Sequence, residues 1–97
     1  MDDRIEAFLR DVRDLEGATQ AEVREGVRVH FARYEGMFRD AESDAHKKNE
    51  AAQRWLNLCR QRLVEEIEQN KGTPTADHLA IALAVIDSPA RFPLKDN

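Results

Sequence analysis

Apolar residues recur along this chain at intervals of three and four through most of its length. Ile5, Phe8, Leu9, Val12 and Leu15 open the pattern. Val23, Val27, Phe31, Tyr34, Phe38 and Ala41 continue it, and Ala45, Ala52, Trp55, Leu56, Cys59, Leu63 and Ile67 carry it further. Such spacing gathers side chains on one face of an α-helix, which completes a turn in about 3.6 residues. The last segment differs, because Leu79-Ala80-Ile81-Ala82-Leu83-Ala84-Val85-Ile86 has no polar position. A short apolar run fits a buried helix or a strand. Its three alanines, the cap signals before it and the lack of any other convincing strand favour a helix.

Punctuation between the segments sets their ends. Gly17 follows the first stripe and suits a left-handed cap. Thr19 and Glu22 then form the T-x-x-E pattern of a capping box. Gly72 precedes Thr73-Pro74-Thr75, where threonine can cap and proline is tolerated in the first turn. Ser88 precedes Pro89, and the residue before a proline avoids helical geometry. Gly26 and Gly36 interrupt the second segment, each at about 1 kcal/mol relative to alanine; bends, close packing or simple exposure are expected there rather than termination.

Residues 37–70 hold neither glycine nor proline. A helix unbroken from 19 to 70 would span roughly 78 Å, whereas a compact domain of this length has a radius of gyration near ~12.5 Å. A break is therefore expected at Asp40–Asp44, capped by Ser43 or Asp44. The predicted fold class is all-α: a small four-helix bundle with a long antiparallel helix pair, its helices at about 2–15, 19–41, 44–70 and 75–87. One helical domain covers 1–97, with 90–97 as an extended C-terminal tail carrying Phe92 and Leu94.

Composition narrows the function classes. The chain has 97 residues, 41% hydrophobic and 35% charged, as expected of a globular domain. Its longest apolar run falls far short of the ~20 residues of a membrane span, so no membrane partner is expected. The opening Met1-Asp2-Asp3 does not suit a secretory signal. A single cysteine, Cys59, excludes an internal disulfide, and the expected location is cytoplasmic. Eleven arginines against four lysines suggest a GC-rich bacterial genome.

Net charge is −4, without the basic excess usual in proteins that live on nucleic acid. Charge is uneven, however. Lys47, Lys48, Arg54, Arg60 and Arg62 crowd into 47–62 with Glu50 as the only acid, forming a candidate basic face.

Few residues invite catalysis. Glu42, His46 and Glu50 share one face if the helix is continuous, but helical di-metal sites add Glu-x-x-His pairs that this chain lacks. These three are read as solvated charges. His30, beside the second stripe, is read as a partly buried, hydrogen-bonded histidine. Asp77, ahead of His78, suits the positive end of the fourth helix. Cys59 lies among apolar neighbours, an inert setting for a thiol. The four glycines never cluster into a phosphate loop, and no serine sits in a nucleophile elbow. Arg60 and Lys71, ahead of Gly72-Thr73-Pro74, resemble the cationic site of the helical chorismate-mutase type of dimer. That family places this helix first and follows it with more helix than this chain contains, so the resemblance is set aside. No enzyme, cofactor or metal is expected.

The apolar run of the fourth helix exceeds what one small subunit needs for its core. The expected function is therefore a non-catalytic interaction or regulatory module, homodimeric and able to bind another protein. Its interface would use Leu79, Ile81, Leu83, Val85, Ile86, Phe92 and Leu94. Two alternatives use the basic face: a nucleic-acid-binding regulator, with Trp55 as a stacking platform, and a binder of a small anionic ligand at a subunit junction.

Overall fold

The computed structural model describes residues 3–87. Phe92, Leu94 and the tail expected at 90–97 lie outside the described residues. Four helices follow one another: α1 (Asp3–Arg13), α2 (Gln20–Asp40), α3 (Ala45–Gln69) and α4 (Pro74–Asp87). No strand occurs among the described residues, and the apolar run 79–86 is helical.

Local chemistry accounts for the ends. Gly17 has a φ of 97° and Gly72 a φ of 84°, the left-handed geometry that a side chain would oppose. Thr19 and Glu22 form the reciprocal capping box, with bonds of 3.1 and 3.0 Å. At α4 the Thr73 hydroxyl donates to the Asn70 carbonyl at 2.6 Å and accepts from the Ala76 amide at 3.3 Å, so Pro74 occupies the first helical position.

The break between α2 and α3 falls at residues 41–44 without glycine or proline. Ala41 keeps helical angles, but Asp44 is extended, with φ −97° and ψ 134°. Its carboxylate takes the amides of His46 and Lys47, two donors orphaned at the start of a helix. The Lys48 ammonium donates to the Arg39 carbonyl at 3.0 Å, closing the end of α2 with a cation. The longest dimension of the molecule is 43 Å, as a hairpin requires.

The core is aromatic at its centre. Phe8, Phe31 and Trp55 are fully buried, and Tyr34 nearly so. Phe8 meets Trp55 edge-on with centroids 5.5 Å apart, and Phe38 lies 5.1 Å from the same indole. The indole N–H donates to the Phe31 carbonyl at 3.1 Å, so the one polar atom of that ring is satisfied. Ile5, Leu9, Val12, Val23, Val27, Cys59, Leu63, Leu79, Ala82 and Ile86 complete the cluster. Two alanines depart from the predicted stripe of α3: Ala45 is exposed at its first turn, and Ala51 rather than Ala52 is fully buried.

The two glycines of α2 differ in purpose. A Cβ at Gly26 would stand 2.7 Å from Leu15 Cδ1, so the missing side chain admits the α1–α2 loop. A Cβ at Gly36 would meet nothing within 4 Å.

Candidate functional site

Ridge spacing on α4 divides its apolar residues between two destinations. Leu79, Ala82 and Ile86 recur at three and four residues and are fully buried in the subunit's own core. This corrects the expected interface at Leu79 and Ile86, whose side chains are enclosed within the core cluster of their own subunit. Ile81, Leu83 and Val85 are half-buried: each packs one side on the core and leaves the rest open. Ala80 and Ala84, not singled out by the sequence reading, are exposed. Together with exposed Asp77, they occupy the side of α4 turned away from Leu79 and Ile86.

Helix α3 extends this surface. It runs antiparallel to α4 through the turn at 70–73, and Arg60 Nε donates to the Asp87 carboxylate at 2.7 Å. That bond sets the register and brings Val64, 47% exposed, near the level of Leu83. The exposed side of α4 thus carries Ala80 and Ala84, with half-buried Leu83 on the flank towards Val64 and half-buried Ile81 and Val85 on the other; Arg60 and Asp87 lie at one end and Asp77 towards the other.

Most cations of the expected basic face are partnered within the subunit. Arg54 and Arg60 stand about 120° apart around α3. Arg54 lies 3.8 Å from Glu42, and Arg60 is bonded to Asp87. Arg62 is shared among Glu6, Glu65 and Glu66 at 3.1, 3.1 and 3.3 Å, and Lys48 is bonded to a backbone carbonyl. Of the five cations only Lys47 has neither a hydrogen bond nor an ion pair from its side chain among the described residues.

A network that sequence reasoning missed lies between α1 and α3. Glu66 is buried and takes Arg13 of α1 as well as Arg62. Burial works against the charge of Arg62, but hydrogen bonds to Glu6 and Glu65 and the charges of Glu6 and Glu66 outweigh it. The guanidinium is therefore held above its ordinary value. Its stabilising effect is complete at every pH below the unfolded value and is lost only in strong alkali. The available signal was i, i+4 spacing of Arg62 and Glu66, which an outward-facing pair shares.

The remaining candidates resolve as structure. Tyr34 Oη donates to Asp11 at 2.8 Å and Arg33 to the same carboxylate at 3.1 Å, while His30 Nδ1 accepts from Arg33 at 3.3 Å. This cluster ties α1 to α2. His78 is buried, and its Nε2 donates to the Val12 carbonyl at 2.6 Å, tying α4 to α1. Cys59 is fully buried. His46 and Glu50 form an exposed i, i+4 pair at 3.3 Å, while Glu42 lies before α3 and turns to Arg54. Among the described residues no group of three or more His, Cys, Asp or Glu could hold a metal ion, and no helix is long and apolar enough to cross a membrane.

No family model, curated protein or solved structure matches this chain.

Proposed function

We propose that the chain is a non-catalytic interaction module that works as a homodimer, docking the outer side of α4 on a second copy. One observation carries this reading: after the core has taken Leu79, Ala82 and Ile86, α4 still presents Ala80, Ile81, Leu83, Ala84 and Val85, with Val64 of α3 beside them. A helix apolar all round belongs in an enclosed setting, and a second copy supplies the missing cover with the same surface, as a two-fold interface requires. Neither basic-face alternative gains support, because Lys48, Arg54, Arg60 and Arg62 already have partners in their own subunit.

Sedimentation equilibrium of the full chain tests the reading. The wild-type protein should give a dimer mass at micromolar concentration. Ala84→Glu should give a monomer with unchanged helical content, since Ala84 lies outside the core. A monomer mass for the wild-type protein at every concentration would remove the proposal. Leu83→Asp is a poorer probe, because Leu83 also packs on the core.

A further inference from the structure

Charge along α4 specifies how the second copy is oriented. Asp77 is exposed in the first turn of the helix and has no side-chain partner among the described residues. Arg60 flanks the opposite end, 45% exposed and bonded to Asp87. Between them Ala80 and Ala84 carry only methyl groups, so another helix axis can approach closely.

Two copies laid parallel about a two-fold axis would set Asp77 against Asp77 and Arg60 against Arg60, and align the helix dipoles. Laid antiparallel, each pair becomes opposite in sign and the dipoles oppose. Resting on the homodimer reading above, we infer that the second copy packs antiparallel on α4. The two-fold axis passes beside Ala80 and Ile81, and Asp77 of each subunit faces Arg60 of the other. Asp77 then lies level with the partner's Ala84, one helical turn before the end that Arg60 flanks. Arg60 thus serves two carboxylates, Asp87 of its own chain and Asp77 of the partner.

Disulfide cross-linking in the full chain separates the arrangements, with buried Cys59 left in place. Ala80→Cys should link the two copies readily on mild oxidation. Asp77→Cys and Ala84→Cys should each fail alone, because seven residues put like positions about 10 Å apart along antiparallel axes. The double variant Asp77→Cys/Ala84→Cys should link. Asp77→Lys should weaken dimerisation about tenfold while leaving the helical content unchanged.

Efficient linking by Asp77→Cys alone, or an unchanged dimer constant in Asp77→Lys, overturns the inference while leaving the homodimer standing. A dimer by sedimentation that Ala80→Cys cannot link places the interface on another face and does the same. A monomer in which Ala80→Cys links only to Phe92→Cys of its own chain assigns the surface to the tail, and overturns both.

Discussion

Leu15 Cδ1 stands 2.7 Å from the point where a side chain at Gly26 would begin, and Cδ2 stands 3.0 Å from it. The turn after α1 thus crosses α2 at a position that only glycine leaves open. Ten residues on, Gly36 occupies the same helix with nothing near it. The pair separates backbone preference from packing. Gly36→Ala should stabilise the fold by about 0.5–1 kcal/mol, the helix-propensity gain alone. Gly26→Ala gains the same preference but must push the end of Leu15 aside, so it should fall short of Gly36→Ala by about 0.5 kcal/mol or more. Urea denaturation followed by circular dichroism reads both; equal gains would show that Leu15 yields freely.

The second prediction concerns Trp55, which is fully buried and touches aromatic rings from α1 and α2. Trp55→Ala should cost about 3–5 kcal/mol, a large share of what a domain this size possesses. Trp55→Phe should recover most of that loss and leave a shortfall of about 1–2 kcal/mol from the smaller ring and the lost indole hydrogen bond. A Trp55→Phe protein as unstable as Trp55→Ala would place the energy in the hydrogen bond rather than in the packing.

Ion pairs on α3 should differ sharply in worth. Arg62 is little exposed and neutralises buried Glu66; Arg62→Ala leaves that carboxylate beside Glu6 and Glu65 with only Arg13 in compensation. The expected loss is about 2–3 kcal/mol. Arg54→Ala removes an exposed contact of 3.8 Å to Glu42 and should cost less than about 0.5 kcal/mol. Thermal melts of the two variants under one buffer decide the matter, and comparable losses would contradict the burial of the Glu66 network.

Asp44 caps α3 with two amides at 2.7 and 3.4 Å. Asp44→Ala should cost about 1 kcal/mol, yet leave the hairpin bent, because Phe31–Trp55 and Phe38–Trp55 contacts span the turn. Spin labels at exposed Ala32 and Gln53 would report a changed separation if the variant instead fused α2 and α3 into one rod.

How much of this could be read beforehand follows from where the controlling chemistry lies. Helix limits came within one or two residues because Gly17, Thr19, Glu22, Gly72 and Thr73 act on their immediate neighbours. The break at 41–44 was visible only through the length of the alternative, since Lys48 reaching back to Arg39 is a tertiary event. Glu66 escaped notice because periodicity treats every charge as solvated, and its partner Arg13 is 53 residues away. The partners of the basic stretch were hidden for the same reason: Glu6, Glu42 and Asp87 come from other segments. On α4 the all-apolar pattern carried no phase, so the core side, Leu79 and Ile86, could not be told from the open side, Ala80 and Ala84.

The bond from His78 to Val12 bridges 66 positions of chain, and that from Arg62 to Glu6 bridges 56. An isolated helix of α1's 11 residues is marginal in water. The helix of α1 therefore depends on partners made later in the chain, and is completed only once α3 and α4 are present to hold it.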